Sequence, residues 1–316
     1  MGCGGAFSHL ILTAIAIAIA IPLAACDTPP VVFVFGDSNS DTGGLASGLG
    51  FIINLPNGRT FFRRSTGRLS DGRLVIDLLC QSLNASLLVP YLDALSGTSF
   101  TNGANFAVVG SSTLPKYVPF SLNIQLMQFR RFKARSLELV TAVGYSNDLG
   151  WENLHNEGAR KFWVHNTGPL GCLPKILALA QKKDLDSLGC LSSYNSAARL
   201  FNEALLHLSQ KLRSELKDST LVYVDIYGIK HDLITNAAKY GFSNPLMVCC
   251  GFGGPPYNFD VRVTCGQPGY QVCDEGARYV SWDGIHHTEA ANTWIASKIL
   301  SMAYSTPRTP FDFFRH

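Results

Sequence analysis

Apolar residues recur along this chain with two periods. Short runs rich in Val, Ile and Phe lie at residues 31–35, 106–109, 140–143, 161–165 and 221–226, each with the length and composition of a buried strand. Between them the spacing lengthens to that of a helix. Ala197, Phe201, Ala204, Leu205, Leu208, Leu212 and Leu216 form one amphipathic stripe, with Arg199, Glu203, Lys211 and Glu215 on other faces. Ala291, Ile295, Ile299 and Met302 mark another helix, which Thr288 can cap. These stripes are expected to face the core. Strands alternating with helices predict an α/β fold in one domain over residues 27–316, a mostly parallel central sheet sandwiched between helix layers.

One stretch breaks the pattern. Seventeen residues, 144–160, separate the run ending at Val143 from the run starting at Lys161. Parallel neighbours need a crossover of about a dozen residues or more, usually a helix. Gly144, Gly150 and Gly158 interrupt this piece, and little apolar periodicity remains. The region around 137–160 is therefore expected to be shortened, either to an irregular crossover or to one lacking part of a helix.

The 316 residues are 47% hydrophobic and carry a net charge of +3, which allows a large core. No nucleic-acid partner is expected, since that would require a basic stripe with interleaved aromatics. Arg59, Arg63, Arg64, Arg68 and Arg73 cluster, but Asp71 and Asp77 lie among them, and the stretch reads as a solvated, partly ion-paired loop. Residues 9–25 are almost wholly apolar and end in Ala24-Ala25-Cys26, the pattern of a secretory signal peptide over residues 1–26; an uncleaved membrane anchor is the competing reading. No later stretch is long and apolar enough to cross a bilayer, so no stable membrane association is expected after cleavage. Cys80, Cys172, Cys190, Cys249, Cys250, Cys265 and Cys273 fit an exported protein with covalent staples, four of them within the Gly/Pro-rich region 249–273. Zinc is the rival reading, disfavoured because no Cys-x-x-Cys spacing occurs, so no metal is expected. Asn84-Ala85-Ser86 is the only N-glycosylation acceptor.

The candidate chemistry sits near the two ends. The run 31–35 stops at Gly36-Asp37-Ser38, which puts a hydroxyl at the carboxyl end of a buried strand, where open α/β sheets carry their ligand sites. A serine hydroxyl is a weak nucleophile and needs a base within hydrogen-bond reach. Far along the chain, SWDGIHH offers Asp283 and His286 three residues apart. On a turn, the carboxylate can fold back onto one ring nitrogen, fix the tautomer and stabilise the imidazolium formed when the other nitrogen takes the serine proton. The helix starting near Thr288 has an electropositive end that opposes protonation of His286, which gives Asp283 a definite electrostatic task. His287 is an alternative base; a polar turn at Ser38 and a capping role for His286 are the structural alternatives. The chain has no Gly-x-Ser-x-Gly, so the nucleophile elbow of the α/β-hydrolase fold is unavailable.

Longer stretches carry a family resemblance. With FVFGDSNSDTGG, LPNGRTFFRRSTGRLSDGRLVIDLL, NGANFAVVGSST, GARKFWVHNTGPLGCLP, DIYGIKHDLITNAAKYGF, CCGFGGPPYN and SWDGIHHTEAAN, the chain resembles the plant GDSL-motif esterases/lipases of the SGNH hydrolase superfamily over most of residues 31–136 and 159–303. The resemblance implies a flavodoxin-like three-layer α/β/α sandwich and a secreted, monomeric serine esterase/lipase of the extracellular space or cell wall. It implies no cofactor, and small-molecule, glycan or lipid acyl esters as substrates. Ser38 matches the nucleophile, Asp283 and His286 the other triad members, and the backbone N–H groups of Ser38 and Gly110 two oxyanion donors. The third donor is the asparagine of a Gly-x-Asn-Asp block, for which Asn147 is the only candidate in order. Here the chain departs from the family, reading Gly144-Tyr145-Ser146-Asn147-Asp148 with one extra residue, inside the region that is short by spacing. An acyltransferase using the same triad, and a catalytically impaired secreted binding protein, are the alternative functions.

Overall fold

The computed structural model describes residues 30–93, 95, 100–114, 119–138, 151–181 and 184–315. The expected leader over 1–26, the strand expected at 140–143 and Asn147 lie outside the described residues. The first half of the chain runs β1 (Val32–Val34), α1 (Gly44–Leu49), α2 (Val75–Ser82), β2 (Gly103–Asn105), α3 (Leu122–Glu138), α4 (Trp151–Asn156) and β3 (Lys161–His165). The second half runs α5 (Pro174–Leu179), α6 (Ser192–Glu215), β4 (Thr220–Val224), α7 (Ile226–Thr235), β5 (Ser243–Val248), β6 (Cys250–Gly251), β7 (Gln271–Val272), β8 (Tyr279–Ser281), α8 (Glu289–Leu300) and β9 (Ser305–Thr306).

Strand pairing follows the expected parallel habit. β1 runs parallel to β2, β3 to β4 and β5 to β8, while β9 closes β4 antiparallel and β6–β7 form a small antiparallel pair. Alternation along each strand divides the side chains between two helix layers. Val32, Val222 and Val224 pack on Leu79 of α2, Leu233 of α7 and Ile295 of α8. Phe33, Phe35, Phe162 and Leu221 turn the other way, onto Phe129 of α3 and Leu212 of α6. Each such buried side chain contributes about 1.5–3 kcal/mol. The outcome is an α/β fold with helices on both faces of parallel-rich sheets, as expected.

Three local readings change. The second strand was expected at 106–109, but β2 lies at Gly103–Asn105; the ladder runs on beyond it, with Phe106 N–H donating to Val34 O at 2.8 Å and Val108 N–H to Gly36 O at 3.2 Å. Gly103 permits this approach, since a Cβ there would lie 1.8 Å from the Val32 carbonyl oxygen. The arginine-rich stretch is not a solvated loop at Arg68, which is buried and donates through Nε and Nη2 to Asp77 at 2.8 Å each. Arg73 pairs with Glu289 at 2.6 Å, and only the Arg63–Glu275 pair is well exposed among these. On α6 the expected apolar stripe is not fully covered: Phe201 is 49% and Leu208 41% exposed, and both border a large cavity. That cavity lies between β1 and β3, which do not pair, so the sheet divides into β1–β2 and β3–β4–β9.

The cysteines form Cys172–Cys190, Cys249–Cys273 and Cys250–Cys265 bridges. Cys80 is free and buried; burial, with Asp77 beside it, pushes its thiol up to about 12. Asn84 is exposed, at a left-handed turn with φ 53°. Among the described residues no helix is long and apolar enough to cross a membrane.

Candidate active site

Ser38 follows β1 on a tight turn closed by Ser40 N–H donating to Asp37 O at 3.0 Å. Two side chains with no role evident from sequence hold this turn in place. Gln125 of α3 clamps Gly36 from both sides: Gly36 N–H donates to its Oε1 at 2.9 Å, and its Nε2 donates to Gly36 O at 2.8 Å and to Ser111 Oγ at 2.9 Å. Asn105 donates to Ser40 O at 2.6 Å and accepts from Ala107 N–H at 2.9 Å. Asp41 gathers backbone donors: Gly43 at 2.7 Å, Gly44, Leu45 at 3.0 Å and Val109 at 2.8 Å. Burial pushes its carboxyl up, and these four N–H groups oppose the shift. The Val109 contact ties the serine turn to the residue before Gly110, whose φ of 78° suits glycine.

The other half is built on the turn after β8. Asp283 Oδ2 meets His286 Nδ1 at 2.6 Å, and Oδ1 accepts the backbone N–H of Ile285 at 3.0 Å and of His286 at 2.9 Å. Burial raises the Asp283 carboxyl, but the imidazole and these hydrogen bonds outweigh it and hold the group below the usual aspartate range. Thr288 caps α8 by accepting Ala291 N–H at 3.2 Å, as expected. The turn is anchored from behind: Trp282 is fully buried and donates to Asn57 Oδ1 at 2.9 Å, with Arg59 5.3 Å over its ring. Arg59 Nη1 in turn donates to Cys273 O at 2.7 Å. His286 Nε2 is buried and has no hydrogen-bond partner among the described residues.

Asp283 and His286 are thus together. Ser38 is not joined to them: among the described residues no hydrogen bond links its Oγ to His286. It instead lines a cavity of about 150 Å³ with Asp37, Asn39, Gly168, Lys230 and His287. Burial, then the nearby Lys230 and His286, holds His287 well below the ordinary histidine value. Lys230 is itself pushed down to about 8 by burial, with Asp37 opposing. Sequence reasoning missed Lys230; its one signal was a lysine beside the buried Ile226, Ile229 and Leu233 of α7. Among the described residues no group of three or more His, Cys, Asp or Glu side chains can hold a metal ion.

The family model described as GDSL-like Lipase/Acylhydrolase matches residues 32–299. The chain belongs to this family. It is a hydrolase of the esterase/lipase type, and its named relatives are plant enzymes. The GDSL esterase/lipase At1g09390 of Arabidopsis thaliana is 56% identical to this hydrolase, over 92% of this chain and 91% of the relative. The Arabidopsis thaliana GDSL esterase/lipase LIP-4 is 53% identical over 98% and 96%, and an esterase of Hevea brasiliensis 40% identical over 92% and 90%. The match to LIP-4 runs over 360 positions against 316 residues here, so at least 44 of its positions have no counterpart in this hydrolase.

Proposed function

We propose that this hydrolase cleaves carboxylic acyl esters by two-step acyl transfer through a Ser38–His286–Asp283 triad. Ser38 Oγ attacks the ester carbonyl while His286 Nε2 takes its proton. The oxyanion is met by the backbone N–H groups of Ser38 and Gly110, with Asn147 as the third donor. The alcohol leaves carrying the proton returned by His286, and water then repeats the cycle on the acyl-enzyme. The observation that carries this reading is the Asp283–His286 contact at 2.6 Å together with a buried, unpartnered Nε2 on the same ring. Attack requires the Ser38 turn and the His286 turn to approach to hydrogen-bond distance. The cavity that Ser38 shares with Ile285 and His287, on either side of His286, supports such an approach.

A fluorophosphonate probe followed by peptide mapping tests the nucleophile. Labelling at Ser38, and loss of both labelling and nitrophenyl-ester hydrolysis in Ser38→Ala, are expected; equal hydrolysis by the two proteins removes the assignment. A secreted form cleaved near residue 26 and glycosylated at Asn84 is part of the same proposal, supported by three disulfides and an exposed acceptor. Its check is a mobility shift on treatment with a peptide N-glycosidase.

A further inference from the structure

One early segment, residues 57–71, holds both ends of the turn between β8 and α8. At the β8 end, Trp282 Nε1 donates to Asn57 Oδ1 at 2.9 Å, across 225 residues of chain. At the α8 end, Glu289 N–H donates to Asp71 Oδ1 at 2.6 Å, and Thr60 Oγ1 donates to Glu289 Oε2 at 2.5 Å. The two arms of the segment are joined to each other. Gly58 N–H donates to Ser70 O and Thr60 N–H to Asp71 O, both at 2.8 Å. Asp283 and His286 lie between the two held ends.

Asn57 is oriented for the indole. Its Nδ2 donates to Asn54 O at 2.9 Å, and its backbone N–H reaches the same oxygen at 3.2 Å. The side-chain amide therefore presents its carbonyl to Trp282, and an indole N–H can only donate. Asn57 is 5% exposed and Trp282 fully buried, so the bond lies away from bulk water, where an unpaired N–H is costly. Trp282 passes the constraint on. Its backbone N–H donates to His286 O at 2.7 Å, and its carbonyl accepts Cys250 N–H at 2.7 Å. The residue that closes the turn onto His286 is thus the one that Asn57 fixes, one position before Asp283.

We propose that Asn57 is a positioning residue for His286, which acts through the indole of Trp282. The proposal rests on the reading of His286 as the general base. Asn57 does not line the cavity that holds Ser38, so its effect is on the base and not on substrate contact. Without the acceptor, the indole N–H is left unpaired and Trp282 is released to seek another partner. The closure onto His286 O then loosens, and with it the 2.6 Å contact between Asp283 and His286 Nδ1. His286 Nε2 spends less time where a serine proton can reach it, which lowers kcat and leaves KM nearly alone.

The test compares Asn57→Leu, Trp282→Phe and the double variant in the full chain, by nitrophenyl-ester kinetics and by proton NMR. Asn57→Leu is expected to lower kcat by about 10- to 100-fold, the scale of a misplaced catalytic group. Trp282→Phe breaks the same bond from the other side and keeps an aromatic ring, so it carries the test if Asn57→Leu does not fold. The double variant is expected to be no slower than the slower single variant, because one hydrogen bond carries both effects. The proton between Asp283 and His286, assigned by its loss in Asp283→Asn, is expected to shift and broaden in Asn57→Leu. This resonance reads the contact directly. A wild-type protein without hydrolysis would remove the triad, while a response of the resonance would still support the role of Asn57. Three results overturn the proposal. One is a kcat unchanged in folded Asn57→Leu or, where that variant does not fold, in Trp282→Phe. Another is a double variant whose losses multiply. The third is a fall in melting temperature and activity together with the resonance unmoved, which makes Asn57 a merely structural residue.

Discussion

Replacing Asp283 by Asn isolates what the carboxylate does for His286. Asp283 Oδ1 holds the turn through Ile285 N–H at 3.0 Å and His286 N–H at 2.9 Å, while Oδ2 meets Nδ1 at 2.6 Å. An asparagine keeps the first two bonds through its carbonyl and puts an NH₂ group against Nδ1. The ring must then accept at Nδ1, so its proton resides on Nε2, where the serine proton should go. The turn survives and the base is lost. Loss of this carboxylate from a triad costs on the order of 10⁴ in kcat, or about 5 kcal/mol of barrier. The stability cost is smaller, about 1–2 kcal/mol for exchanging one charge-assisted hydrogen bond. pH provides a second readout. The folded Asp283 carboxyl is held below its ordinary value, so its contribution is present above about pH 4 and lost as pH falls through the lower folded value. The Asp283→Asn variant should therefore lack that part of the acid-side loss of stability. Initial rates on a short-chain nitrophenyl ester, alongside urea melts at neutral and acid pH, measure both. A rate loss below about tenfold with the turn intact would falsify the claim that Asp283 sets the tautomer of His286.

Other perturbations are equally specific. Arg68→Met leaves Asp77 buried without its cation and is expected to cost about 3–5 kcal/mol in urea unfolding, whereas Arg68→Met with Asp77→Leu recovers much of the loss; equal losses for single and double variants refute a coupled pair. His287 is buried in its neutral form, with its folded pKa below the unfolded value, so stability is full above about pH 6.5 and declines as pH falls below it. His287→Gln should flatten Tm against pH over that acid range, and an unchanged slope counts against the assignment. Removing the Cys249–Cys273 bridge by a double alanine substitution is expected to cost about 3 kcal/mol and to shift Trp282 emission, because Arg59 spans the bridge and the indole. A stability loss without the emission shift separates the bridge from the turn after β8.

What the sequence made legible was what local pattern controls. β3 falls on 161–165 because Phe162, Trp163 and Val164 are three strand-favouring residues in a row, with Phe162 buried. Thr288 caps α8 because a side-chain oxygen there meets an unpaired helical N–H. Asp283 and His286 meet because three residues on a turn span the distance. Gln125 was illegible, since a glutamine in a helix has no pattern that marks it as a clamp on Gly36, 89 residues earlier. The exposure of Phe201 and Leu208 was misread, because a hydrophobic stripe predicts which face wants covering and not whether a partner is present.

Cys249 and Cys250 are adjacent in the chain yet bridge to different partners, Cys273 and Cys265. Successive residues of extended backbone point to opposite sides, so trading partners would turn this stretch over. The trade would not be silent, because Cys249 N–H donates to Ser281 O at 3.0 Å and Cys250 N–H to Trp282 O at 2.7 Å, immediately before Asp283. Correct and traded forms would share one mass and one gel position while differing at the turn that carries the imidazole. For anyone producing this protein, purity by weight is therefore a poor proxy for competent enzyme, and co-expression with a disulfide isomerase bears on specific activity as much as on yield.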